Sequence, residues 1–326
     1  MGFRAKKLYH FGLIILSLIL IVGLGSFTNR NPLFFQKLNQ LHFGYFSLLI
    51  LFQIAGLALL GLTHRLPLLK HKIDITANEW FGLSVVSEMF NMILPANGGT
   101  GVRMMYLKDK KDLPFRQFLA MNFAMIVTGF SMLGIVGTLY FQYVFTRNDN
   151  VFKLLESIFI ALAFSGILLL ICSEIIGKLF KIKKKYSPKI YLFDTKLTFT
   201  VTLYWLIFFA LYPIKIYLSF LAIGVNVGLT ESFEISLILL ASYFFQVLPG
   251  NLGVREIITA YISTHYGISF ETALLASLID RGTLLIFVMP VGMYFYWKLL
   301  LNSITPDFLG VWIKRFRPVQ SEQTSP

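Results

Sequence analysis

The chain has 326 residues, of which 56% are apolar and 14% charged. A soluble domain runs nearer half apolar and a quarter charged, so this balance excludes a water-soluble domain and points to an integral membrane protein. The net charge of +13 borders apolar runs, which makes it orientation chemistry and not a nucleic-acid surface. A single cysteine, Cys172, excludes a disulfide framework, and the sequence contains no P-loop and no Cys/His metal cluster. No cofactor is expected.

In chain order, six runs reach the ~20 apolar residues of a spanning helix: 11–27, 45–62, 117–145, 157–177, 199–223 and 272–301. The first is read as a span and not a signal peptide, because it is long and no small-residue cleavage site follows. Two further runs, 81–97 and 234–250, are shorter. If both crossed the membrane, Lys and Arg would divide almost evenly between its sides, against the positive-inside rule. As re-entrant arms, they place most Lys and Arg in 1–10, 63–80, 101–116, 178–198 and 298–326, all cytoplasmic.

The predicted fold is therefore an all-α polytopic membrane protein with six spanning helices and two re-entrant broken helices. Three spans per half invert the second half, giving an inverted-topology repeat. The pseudo-repeats are 1–150 and 151–301, meeting at the polar stretch Arg147-Asn148-Asp149-Asn150. Residues 1–326 form a single membrane domain with both termini cytoplasmic and a tail over 302–326.

The strongest signal is a motif written twice. Leu94-Pro95-Ala96-Asn97-Gly98-Gly99-Thr100-Gly101-Val102-Arg103 recurs as Leu248-Pro249-Gly250-Asn251-Leu252-Gly253-Val254-Arg255. Pro95, Gly98 and Gly99 break the first arm, and Pro249, Gly250 and Gly253 break the second. Bare backbone cannot face lipid, so both breaks are expected to meet in a polar crevice at mid-depth. Arg103 and Arg255 follow the breaks, and an arginine fork suits phosphate or carboxylate. Thr100 and Asn251 are read as N-caps of the helices that follow, with Asn97 lining the same site.

Glu88, Glu256, Asp280 and Arg281 also lie in apolar surroundings, where ionisable groups are costly and face the bundle interior. Two readings of them are open: substrate contact, or structural ion pairs between the halves. Adjacent residues on a helix diverge by about 100°, so Arg255-Glu256 and Asp280-Arg281 each pair elsewhere. Candidate partners for Glu88 are Arg103 and Arg281. Lys215 is expected to snorkel to the outer interface. Asn91, Asn122 and Gln246 are read as interhelical glue or crevice lining, and Gly129, Gly134 and Gly137 as close-packing positions.

The paired breaks, Gly253-Val254-Arg255-Glu256 and Asp280-Arg281 resemble the lysylphosphatidylglycerol synthase transmembrane-region family. Its members are also called flippase-like domain proteins and include the membrane half of the bacterial multiple peptide resistance factor. The resemblance implies a helical bundle in the bacterial cytoplasmic (inner) membrane that moves lipids between leaflets. The implied partners are membrane lipids (anionic or aminoacylated phospholipid, or lipid-linked sugar) and a separate synthase or glycosyltransferase. The synthase domain of the resistance factor is absent, so aminoacyl transfer is not carried over. Where an acidic residue is expected near the end of the first motif, Thr100 or Gly101 stands.

A lipid translocase without enzymatic activity is the expected function. One alternative is a membrane-embedded transferase, for which Asp109 and Asp112 are the available carboxylates. Another is a lipid-binding accessory subunit.

Overall fold

The computed structural model describes residues 39–94, 97–143, 150–179, 187–243 and 249–301, and every regular element among them is helical. The helices are α1 (Phe43–Leu69), α2 (Ala77–Ile93), α3 (Gly98–Lys111), α4 (Phe115–Tyr143), α5 (Asn150–Leu179), the short α6 (Lys189–Leu192), α7 (Thr195–Ala222), α8 (Leu229–Tyr243), α9 (Val254–Thr264) and α10 (Phe270–Phe295). A 3-10 turn (Pro249–Asn251) precedes α9, and a π-helical turn (Tyr296–Leu301) prolongs α10. The predicted run 11–27, Pro95, Gln246 and the tail 302–326 lie outside the described residues.

Among the described residues, four helices are long and apolar enough to cross a membrane: Phe43–Leu69, Phe115–Tyr143, Thr195–Ala222 and Phe270–Leu301. They coincide with four of the six predicted runs. The fifth, 157–177, lies within helix α5. An order of long helix, short helix, break, short helix, long helix runs from α1 to α4 and again from α7 to α10. Its spacing matches the motif: α1 and α7 start 152 residues apart (195 − 43), as do α2 and α8 (229 − 77) and Arg103 and Arg255 (255 − 103).

Local chemistry sets the helix starts. Thr76 and Glu79 form a reciprocal capping box at α2, Asp194 caps α7 through the Leu197 amide, and Ser269 caps α10 through the Thr272 amide. Helix α3 ends in Lys108, Lys110 and Lys111, where cations complement the carboxyl end of the dipole.

Helices α1 and α7 lie antiparallel and are tied at both ends. At one end the His42 amide donates to the Ala222 carbonyl at 2.9 Å. At the other, Lys70 Nζ reaches Asp194 Oδ2 at 2.7 Å and the Ile190 carbonyl at 2.6 Å. The second end, with Lys70, Lys111, Lys189 and Lys196, is here termed the basic face.

Both ends of the α2–α3 hairpin return to the basic face. Lys111 Nζ at the end of α3 meets Glu79 Oε1 at the start of α2 at 2.8 Å, and Tyr106 donates its hydroxyl to the same carboxyl at 2.7 Å. The α8–α9 hairpin closes likewise at the opposite face. Glu234, early in α8, accepts hydroxyls from Tyr266, just after α9, and from Tyr140 of α4. The two hairpins approach each other in the interior: a side chain on Gly250, in the second break, would lie 3.3 Å from Met92 Cα near the end of α2.

The predicted small-residue packing is present. Gly134 faces the Ala163 backbone and Gly137 the Phe159 ring where α4 meets α5, and Gly129 faces the Trp205 ring of α7. The far side of α5 presents Phe164, Ile167 and Leu168, all exposed, as a lipid-facing helix surface would.

Candidate functional site

Each break is stabilised by an asparagine in the left-handed conformation. Asn97 and Asn251 both have φ 54°, a region that asparagine visits at lower cost than other residues with a side chain. Neither acts as a side-chain helix cap. Asn97 sits at the N-cap of α3 without a side-chain bond, and Thr100 lies within the first turn, not at the cap. Asn251 instead turns back and donates from Nδ2 to the Ser242 carbonyl at 2.9 Å, while the Gly253 amide at the N-cap of α9 donates to Glu256 Oε2 at 2.8 Å. The N-cap readings of Thr100 and Asn251 are thus corrected: the caps fall at Asn97 and Gly253, three and two residues from where spacing placed them.

Helices α2 and α3 touch at Gly99. A Cβ there would lie 1.8 Å from the Ser87 carbonyl oxygen, so only glycine fits. Asn91 Oδ1 accepts the Gly99 amide at 2.9 Å, and Asn91 Nδ2 points to Glu88 Oε2 at 3.4 Å. Asparagine therefore acts as glue at the first break, and Glu88 has Asn91 as a neighbour.

The buried charges converge where α9, α10, α7 and α1 meet. Arg255 Nη2 donates to Asp280 Oδ2 at 3.0 Å and to the Tyr212 hydroxyl at 2.7 Å. Arg281 Nε contacts Glu256 Oε1 at 2.7 Å, and its Nη2 donates to the Gly250 carbonyl at 2.6 Å. The dipeptides Arg255-Glu256 and Asp280-Arg281 are thus cross-paired, each residue bonding the opposite sign on the facing helix. Gln53 of α1 donates to Asp280 Oδ1 at 2.9 Å and to the Asp280 carbonyl at 3.2 Å.

Lys215 does not snorkel to the interface. It is buried, 3.6 Å from Asp280 Oδ1, with its ammonium 4.8 Å from the centre of the Tyr212 ring. The expectation failed because the end of α7 lies at Ala222, leaving seven residues, or ~10 Å of helix, between Lys215 and that face.

Depth follows from the same rise per residue. Asp280 stands ten residues into α10 and Arg255 nine residues before the end of α9, each ~14–15 Å from the face opposite the basic one. That is about half of a ~30 Å hydrocarbon core. Lys215 and Arg255 of this cluster line a small open cleft. Glu88, Lys215 and Arg255 supply the charge, and Phe52, Leu57 and Phe208 are among its apolar walls. Arg281 and Glu256 hold the second break, through the Gly250 carbonyl and the Gly253 amide.

The family model for the lysylphosphatidylglycerol synthase TM region matches residues 13–292. The chain belongs to this family. No curated protein and no solved structure matches it.

For this member of the lysylphosphatidylglycerol synthase TM-region family, the geometry divides the residues singled out from sequence. Arg255, Asp280, Arg281 and Glu256 come together, and Glu88 faces the same cleft from α2. Arg103 is buried on α3 and stands outside that cleft, within electrostatic range of His64 of α1. Three contributors were passed over in the sequence: Gln53, Tyr212 and the true setting of Lys215. The signal was present, since Gln53 is a lone amide and Lys215 a lone cation within otherwise apolar runs.

Two titrating groups lie at the basic face. Burial acts to raise the Glu79 carboxyl, but the Lys111 ammonium, the Thr76 amide and the hydroxyls of Tyr106 and Thr76 outweigh it and hold the carboxyl down to about 2. His71, whose Nε2 lies 2.6 Å from the Tyr191 hydroxyl, is held below its usual value by burial and then by the neighbouring Lys70.

Proposed function

We propose that this protein is a lipid translocase, carrying a phospholipid or lipid-linked headgroup between leaflets while the acyl chains stay in lipid. The carrying observation is a buried charge cluster at mid-depth, of which Lys215 and Arg255 reach a cleft that also holds Glu88 between apolar walls. Buried charge is expensive, and inside membrane helices it marks a functional site by default; charged and apolar residues in one cleft match the two halves of an amphiphile. Membership of a family named for a lipid synthase's membrane region supports lipid as the partner.

In this reading the basic face is cytoplasmic. The protein has six spans and an inverted-topology repeat, and both hairpins are re-entrant from opposite sides. Arg255 receives the headgroup's anionic group, and Asp280 neutralises Arg255 when the cleft is empty. Rocking one repeat against the other exposes the cleft alternately. The chain moves lipid without making a covalent bond, and any synthase or glycosyltransferase is a separate protein. The test is purified protein in vesicles with labelled phospholipids of varied headgroup. Protein-dependent transfer of at least one of them is expected, and no transfer across the panel would refute the proposal.

A further inference from the structure

We infer that Lys215, together with Arg255, forms a two-pronged phosphate site in the cleft, and that Asp280 holds Lys215 in reserve until the ligand arrives. This rests on the translocase reading for its ligand but not for its chemistry. Asp280 is shared unequally. Arg255 bonds one oxygen at 3.0 Å and is braced by Tyr212 at 2.7 Å, while Gln53 occupies the other at 2.9 Å. Lys215 shares that second oxygen only at 3.6 Å, beyond hydrogen-bond length, and otherwise rests over the Tyr212 ring.

At that length Lys215 makes no hydrogen bond to Asp280, so its donors are the ones a bound anion would take up. Lys215 can reach such an anion beside Arg255, because its ammonium swings three donors on a flexible stem, and both residues line the cleft. Glu88 on the α2 wall opposes a second negative charge. The site therefore favours a phosphodiester, which carries one charge, over free phosphate. The apolar walls beside it suit the glycerol and upper acyl carbons of the same molecule.

The test measures binding to detergent-purified protein of dioctanoyl phosphatidylglycerol, inorganic phosphate and dioctanoylglycerol, for wild type, Lys215→Met and Lys215→Arg. Wild type is expected to bind the phospholipid. Lys215→Met weakens that binding at least ~10-fold, the loss of a hydrogen bond to a charged group, and Lys215→Arg largely restores it. The melting temperature of Lys215→Met stays level or rises, since Arg255 and Asp280 then pair one to one and a buried charge is gone. Inorganic phosphate binding as tightly, with the same dependence on Lys215, would support the phosphate pair and overturn its assignment to a lipid. Unchanged phospholipid affinity in Lys215→Met would overturn the inference, as would parallel loss of affinity and melting temperature that arginine does not repair. Because binding is read in detergent, a wild-type protein that binds but fails to move lipid sinks the translocase reading alone.

Discussion

Asp280 is the residue on which the buried network depends. It compensates both Arg255 and Lys215 and accepts from Gln53. Asp280→Asn keeps the shape but strips both cations of their counter-charge, and breaking a buried pair from one side costs ~3–5 kcal/mol. A fall in the detergent melting temperature well beyond that of Lys215→Met is expected. Restoring charge balance with Asp280→Asn/Arg255→Gln should recover part of the loss. That these residues are functional candidates was legible, because ionisable groups are rare inside apolar runs. Their partners were not: cross-pairing needs α9 and α10 side by side, and sequence neighbours on a helix give no hint of it. Lys215 was misread because a lysine can snorkel or be buried, and only the helix end at Ala222 decides.

At the scale of elements, the hairpins rest on close approach and on latches at their ends. Gly99→Ala puts a Cβ 1.8 Å from the Ser87 carbonyl, so α2 and α3 must part and the Asn91 bond to the Gly99 amide stretches. The expected result is a destabilisation of at least ~2 kcal/mol, in the range of overpacked cores, with faster hydrogen exchange in both helices. Gly101→Ala, where a Cβ meets no neighbouring atom within 4 Å, serves as the control and should be near neutral.

The Glu79 latch makes a pH prediction. Its carboxyl is depressed from the usual 4.5 to about 2, so its contribution is complete above about 4.5 and lost as the pH falls toward 2. Protection against hydrogen exchange at the ends of α2 and α3, taken relative to the intrinsic rate at each pH, should fall across that window in wild type and show no such fall in Glu79→Gln. The breaks themselves were legible from Pro and Gly. Which residue caps each following helix was not, since Asn97 and Asn251 take left-handed backbone that spacing alone cannot reveal.

Across the whole molecule, the doubled motif is accompanied by doubled architecture: helix starts repeat at the motif's own interval, and a hairpin closes at each face. The helix breaks were legible because Pro and Gly disrupt helices wherever they occur together. The unequal settings of the two arginines were not. Arg255 enters the cleft and Arg103 does not, although the two motifs read alike. The difference arises from neighbours supplied by α7 and α10, namely Tyr212, Lys215 and Asp280, to which the first motif has no matching set.

Gly56 offers a direct probe of alternating exposure of the cleft. It lines the cleft, and a Cβ there makes only ordinary contact, 3.6 Å from the Phe208 ring. The measurement is labelling of Gly56→Cys, in a Cys172→Ser background, by a membrane-impermeant thiol reagent applied to either side of oriented vesicles. Labelling from both sides, slowed by added phospholipid, is the predicted result. Labelling from one side only, or from neither, would contradict it.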